Sequence, residues 1–274
     1  MIGIDVPLVR ALVAAQFPQW ADLEVRPVGM SGWDNRTFRL GPSMTVRLPS
    51  AAGYVPAVEK EQRWLPYLAP RLPLPIPVPL GLGRPGSGYP FPWSVYGWLD
   101  GDPTTPDRID DPVGFARALA GFLVTLRGID ANGGPIAGEH SFWRGGPLAS
   151  YDEETRRAIV TLGVGDTATA MWAEALGSAW TRPPVWFHGD IAPGNLLLRD
   201  GRLAAVIDFG TSGVGDPACD LVIAWTLLSG PARDAYREAV GLDEDTWARA
   251  RGWALWKALI TADSRVLAIL GVQR

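Results

Sequence analysis

Cysteine, histidine and lysine are scarce in this 274-residue chain, which holds only Cys219, His140, His188, Lys60 and Lys257. A lone cysteine forms no internal disulfide, and three His/Cys side chains cannot supply a zinc site built mainly of nitrogen and sulfur. Any metal is expected to be a hard ion on oxygen ligands. Neither lysine follows a glycine, so the Gly-Lys-Ser/Thr of P-loop nucleotide hydrolases is missing. Long apolar runs are missing too. The longest uncharged stretch, residues 85–99, is broken by three prolines and falls short of the roughly 18–20 residues a membrane helix needs. Nor is there a basic stripe: the net charge is −4, and the acidic excess lies after residue 100, so nucleic acid is not an expected partner. Asp5 and Arg10 fall where a secretory signal keeps its apolar core, which points to the cytoplasm.

What the chain does contain is 47% hydrophobic residues, enough for a sizeable core, with glycine and proline making up roughly a fifth of the sequence and many short turns. The first hundred residues read as strands over 23–29, 35–40, 44–48 and 93–99. A helix over 55–68 interrupts them, and a proline-rich edge segment runs over 72–80. Short turns such as Gly41-Pro42-Ser43 imply an antiparallel sheet. After residue 110 the period becomes helical, starting from an Asp111-Pro112 cap with Phe115, Leu119, Phe122, Leu126 and Ile129 in one stripe. Helices are expected over 150–162, 166–179, 218–229, 232–240 and 244–270, with a small β insertion at 185–209 closed by an Asp200-Gly201 hairpin. The chain thus divides into 1–100 and 101–274.

The insertion carries His188-Gly189-Asp190-Ile191-Ala192-Pro193-Gly194-Asn195 and then Ile207-Asp208-Phe209-Gly210. Phosphoryl transfer needs a carboxylate to orient or deprotonate the attacking hydroxyl, and oxygen ligands that hold Mg²⁺ against nucleotide phosphates. Asp190 suits the base, and Asn195 and Asp208 suit the metal. These motifs, with Gly215-Asp216-Pro217-Ala218-Cys219-Asp220-Leu221 following, resemble the aminoglycoside phosphotransferase family, antibiotic kinases with a protein-kinase-like fold. That resemblance implies an α+β bilobal protein. Its nucleotide-binding N-terminal lobe is an antiparallel sheet with one helix, and its larger, mainly helical C-terminal lobe is catalytic and binds the acceptor.

By the same resemblance, Arg47 in Val-Arg-Leu-Pro meets the nucleotide phosphates where most kinases have lysine, and Glu61 pairs with it. Backbone groups near Tyr96 and Trp98 face the adenine, and the segment 29–35, with Ser31, covers the phosphates. The implied reaction is ATP- or GTP-dependent, Mg²⁺-requiring O-phosphorylation of an aminoglycoside-type antibiotic. A macrolide kinase, a metabolite kinase and a non-catalytic pseudokinase are the alternatives. Only five residues separate Gly210 from Asp216, which leaves no room for an activation loop and argues against a protein substrate.

Other features have plainer readings. His188 is expected to pack the catalytic loop, and Asp220 to cap a helix or brace that loop. Gly81-Leu82-Gly83-Arg84-Pro85-Gly86 matches the dinucleotide fingerprint, but no helix can open behind it. The thirteen tryptophans are expected mainly in the core. The acidic runs 152–154 and 243–245 read equally as polycation sites or as first-turn acids of helices.

Overall fold

The computed structural model describes residues 3–29 and 34–272, in two compact units: 1–100 with 205–210, and 101–204 with 211–274. The first unit opens with helix α1 (Val6–Gln16), capped by Asp5, whose carboxylate accepts from the Leu8 amide at 3.0 Å. The sequence reading has a single helix in this region, so α1 is an addition. Its signal was present in Asp5, Pro7 and the buried Val9, Leu12 and Val13. Strands β1 (Val25–Pro27), β2 (Asn35–Leu40), β3 (Met44–Pro49), β4 (Pro79–Gly83) and β5 (Trp93–Gly97) form one antiparallel sheet in the order β1-β2-β3-β5-β4. Phe38, Leu40, Val46, Leu48, Trp93 and Val95 bury one apolar core with α1.

Helix α2 (Val55–Leu68) lies between β3 and β4 in the chain. It buries Val58, Leu65 and Leu68, and also Lys60 and Glu61, charged residues of a polar run that on an amphipathic helix ordinarily faces solvent. The glycines at 81 and 83 belong to the edge strand β4. A Cβ on Gly83 would stand 2.0 Å from the Trp93 ring, and one on Gly81 2.8 Å from Phe17. Close approach of aromatic rings, rather than a pyrophosphate, explains that glycine pattern.

In the second unit, β6 (Asp102–Pro103) precedes helix α3 (Pro112–Gly128), whose Asp111 cap accepts from the Gly114 amide at 2.9 Å. Helices α4 (Asp152–Leu162) and α5 (Gly165–Leu176) follow. The β insertion forms β7 (Val185–Phe187), β8 (Leu196–Arg199) and β9 (Arg202–Val206), with Asp200 and Gly201 both left-handed between the last two. It does not make one sheet. Strand β7 pairs with β10 (Gly213–Gly215), while β8 lies between β6 and β9.

The expected helix over 218–229 is instead a 3₁₀ segment (Pro217–Val222) followed by the single turn α6 (Ile223–Thr226). The Arg233 side chain takes the Ala224 and Leu228 carbonyls at 2.6 and 2.9 Å, capping the chain end that a longer helix would have used. Helix α7 (Gly230–Val240) packs on α3. The long helix expected over 244–270 is two, α8 (Glu244–Ile260) and α9 (Ser264–Ile269), because Ala262 turns left-handed and Asp263 caps a new start. Apolar on most sides, α8 sits centrally against α4, α5 and Pro217–Val222. Among the described residues no helix is long and apolar enough to cross a membrane.

Candidate active site

Within the first unit, Arg47, Glu61, Tyr96 and Asp208 come together. Strand β3 carries Arg47 and helix α2 carries Glu61, with the Arg47 guanidinium 3.6 Å from the Glu61 carboxylate and 2.7 Å from Asp208 Oδ1. The Tyr96 phenol donates to Glu61 Oε2, fixing that carboxylate from β5. Burial alone would lower the affinity of Arg47 for its proton, but the charges of Asp208 and then Glu61 outweigh it, so the guanidinium is locked in its charged form. Asp208 has a left-handed backbone, φ 67°, a conformation that non-glycine residues reach at some cost and that the Arg47 bond helps to hold. Its Oδ2 is not part of that bond. Lys60 donates to the Gly210 carbonyl at 2.7 Å, and burial pushes its ammonium down to about 8 against the pull of Glu61.

The other expected nucleotide contacts are placed as follows. The Gly97 and Trp98 amides donate to the Val78 and Ser43 carbonyls at 3.0 and 2.8 Å. The Trp98 indole donates to Asp100 at 2.9 Å and lies under the Arg39 guanidinium. Ser31 lies outside the described residues.

Within the second unit, the loop after β7 holds Asp190 and Asn195. Asn195 Nδ2 donates both to the Asp190 carbonyl at 2.9 Å and to Asp190 Oδ2 at 3.0 Å, so one amide fixes the loop and the carboxylate together. The Gly189 turn, φ 89°, brings its backbone where a Cβ would meet the Thr211 carbonyl at 2.7 Å. Asp220 braces the same loop from beneath, accepting from the His188 and Gly189 amides at 2.8 and 2.7 Å. Complete burial raises the Asp220 carboxyl even so. His188 is fully buried, and its Nδ1 accepts from the Asp190 amide at 3.2 Å; it holds the loop rather than reaching solvent. Residues 213–215 form β10, which leaves the segment before Asp216 no free length.

The half-buried Asp190 carboxylate also receives Lys257, from α8, at 2.9 Å. Burial pushes this carboxyl up, but the charge and hydrogen bond of Lys257, with His188 and Arg144 adding to them, hold it below the ordinary carboxylate range. It is therefore ionised at neutral pH. A pocket opens beside it, lined by Lys257, Arg144, Cys219, Trp253 and Trp256 among others.

The model of a family described as the phosphotransferase enzyme family matches residues 24–253, most of the chain. The chain belongs to the phosphotransferase enzyme family. Membership agrees with the small-molecule kinase read from the sequence. The solved GDP and kanamycin complex of APH(2")-IIia superposes with a TM-score of 0.77 at 18% identity, covering 96% of this chain and 97% of that one. The apoenzyme of macrolide 2'-phosphotransferase MphH from Brachybacterium faecium gives a TM-score of 0.64 at 23% identity, covering 97% of each. Both likenesses are of fold, and they establish the α+β architecture with its antiparallel N-terminal sheet and helical remainder. A curated aminoglycoside 3'-phosphotransferase from Escherichia coli is 40% identical over 45 residues, 16% of this chain and 17% of that protein.

In this phosphotransferase the sequence reading missed Lys257, Arg144 and Lys60. One signal was available: only two of the 25 basic residues are lysines, and both are anchored on groups of the motif segments, Lys60 on Gly210 and Lys257 on Asp190. Lys257→Met is expected to move the acid limb of the kcat/KM pH profile upward, because burial is then no longer outweighed. A limb that stays in place would assign it to a group other than Asp190.

Proposed function

We propose that this phosphotransferase moves the γ-phosphoryl group of ATP or GTP onto a hydroxyl of a small molecule. The first unit would bind the nucleotide, and the second would carry the base and the acceptor. Asp190 orients the hydroxyl and takes its proton, Arg47 held by Glu61 faces the phosphates, backbone near Tyr96 and Trp98 receives the purine, and Ser31 lies in the phosphate-covering segment. Catalysis is then mostly positioning and charge neutralisation. The observation that carries this reading is the Asp190–Asn195 lock, a motif pair five residues apart tied carboxylate to amide, in a member of a phosphotransferase family.

The donor set suits Mg²⁺. Asp208 and Asn195 each offer a hard oxygen, and no group of three or more His, Cys, Asp or Glu side chains among the described residues forms a cage for an ion. Mg²⁺ commonly uses one or two protein oxygens and completes its shell with phosphate and water. Asp208 and Asn195 would hold it, and when bound it would neutralise charge on the nucleotide phosphates. The names of the structural neighbours put forward two antibiotic classes as acceptors, aminoglycosides and macrolides.

Two measurements test the reading. A panel of hydroxylated antibiotics and metabolites incubated with Mg²⁺ and ATP or GTP should yield a phosphorylated product. Asp208→Ala should weaken Mg²⁺-nucleotide binding by at least about tenfold in calorimetry, since a charged metal ligand is lost. Unchanged affinity would move the metal away from Asp208.

A further inference from the structure

We propose that Arg144, Lys257 and the Trp253 N–H select an acceptor that is uncharged or anionic, oxygen-rich and broad-faced, and that they exclude polyamines. This rests on the phosphotransferase reading and narrows its acceptor. Three observations carry it. First, among the described residues lining the pocket beside Asp190, Asp190 is the single carboxylate, whereas Lys257 and Arg144 are both cations. The Lys257 charge is balanced by Asp190, to which it is bonded, whereas Arg144 forms no ion pair among the described residues and its guanidinium donates to the Phe142 carbonyl and the Tyr151 hydroxyl at 3.4 and 3.5 Å. Arg144 is held flat on the pocket wall, its guanidinium carbon 4.5 Å from the Trp256 ring centre and 5.5 Å from that of Trp253.

Second, Asp190 and the Cys219 thiol apart, the polar side chains that line the pocket are donors. Trp253 is 1% exposed, and its indole N–H is buried with no hydrogen-bond partner among the described residues. An orphaned buried donor is costly unless something fills its need. Arg144 and Lys257 can likewise only donate. A ligand rich in hydroxyl, carbonyl or carboxylate oxygens meets that inventory; among the side chains that line the pocket, an ammonium group finds a carboxylate only at Asp190, where the reacting hydroxyl must sit.

Third, most acids of the two acidic runs, and both acids of residues 216–220, are committed elsewhere. Asp152 and Glu153 pair with Arg156 and Arg157 on the first turns of α4. Glu154 accepts from the Trp256 indole at 2.7 Å, and Asp243 caps α8 and pairs with Arg182. Glu244 binds Arg237, Asp216 binds Arg249, and Asp220 is filled by backbone amides. The acidic runs therefore sit at the first turns of α4 and α8, where Asp152, Glu153, Glu154, Asp243 and Glu244 each hold a partner, and the net charge of the region is not the charge of the pocket lining. The adjoining surface is aromatic: Tyr151 packs on Trp256 at 4.4 Å between centroids, and its hydroxyl donates to the carbonyl of Phe142, whose neighbour Trp143 is also exposed. A flat apolar face on the acceptor would lie there.

The test is competition among three acceptor sets incubated with Mg²⁺ and ATP or GTP, with product read by mass spectrometry. The sets are aryl glycosides and hydroxylated macrolactones without amines, aryl glucuronides, and the polyamines kanamycin and neomycin. The expected result is a kcat/KM at least about tenfold higher for the best uncharged or anionic compound than for the best polyamine. Arg144→Glu should narrow that gap by about tenfold, and Arg144→Gln should act in the same direction if the glutamate variant does not fold. A polyamine preferred by the wild-type enzyme, or a gap untouched by either substitution, overturns this selection and leaves the phosphotransferase reading standing. Bound nucleotide with no acceptor-dependent product from any set overturns the phosphotransferase reading and this selection together.

Discussion

Replacing Asp190 by asparagine or alanine should lower phosphoryl transfer by about 10² to 10⁴, the usual contribution of a positioned general base, while nucleotide affinity stays close to that of the wild type. The expectation follows from the local bonding. Asp190 is ionised because Lys257 outweighs burial, and it is aimed because Asn195 holds Oδ2 and Lys257 holds Oδ1. A carboxylate fixed at both oxygens loses little entropy on meeting a hydroxyl, which is the advantage of prior positioning. Asparagine keeps the shape of the loop and removes the proton acceptor, so it separates chemistry from structure. Steady-state kinetics with the best acceptor, alongside calorimetry with Mg²⁺-nucleotide, reads both effects. Turnover within tenfold of wild type would mean that another group takes the proton.

How far this site was legible in the sequence depends on how far apart its parts are in the chain. Asp190 and Asn195 are five residues apart in one loop, and Asp208 follows β9 at the end of the hairpin that comes next, so local spacing was enough to single them out. Lys257 is 67 residues from Asp190, on a helix whose residues are buried on most sides, and no periodicity marks one lysine of such a helix as turned toward a carboxylate. Lys60 was missed for a related reason, whereas Glu61 was paired with Arg47 through the family resemblance alone. A polar run on an amphipathic helix ordinarily faces solvent, and here tertiary partners, Gly210 for one and Arg47 with Tyr96 for the other, take those side chains inward. Helix α1 was readable from its cap and overlooked. The break at Ala262 came from Asp263, whose capping bond overrode a helical apolar pattern. Charge was the most misleading quantity, because a sum over residues ignores which acids are already paired.

A second large effect is expected at the buried pair of Asp216 and Arg249. The Arg249 Nε lies 2.7 Å from Asp216 Oδ2, with the side chains only 5% and 8% exposed, and the guanidinium also donates to Ser178 and Thr246 at 3.0 and 3.1 Å. Removing one partner leaves the other charge buried and uncompensated, so Asp216→Ala or Arg249→Met should each cost about 3–5 kcal/mol in equilibrium denaturation followed by tryptophan fluorescence. Replacing both with apolar residues should recover most of that loss, because the desolvation penalty of the pair disappears with its attraction. The consequences extend to the catalytic loop. Asp216 Oδ1 also accepts from the Ala218 amide at 3.0 Å, starting the 3₁₀ segment that carries Asp220, and Asp220 holds the amides of His188 and Gly189. Asp216→Ala should therefore lower kcat even at temperatures where the variant stays folded, and the apolar double variant should recover stability without recovering kcat. Full recovery of both would show that the loop requires neither the charge of Asp216 nor its cap on Ala218, only a well-packed site in their place.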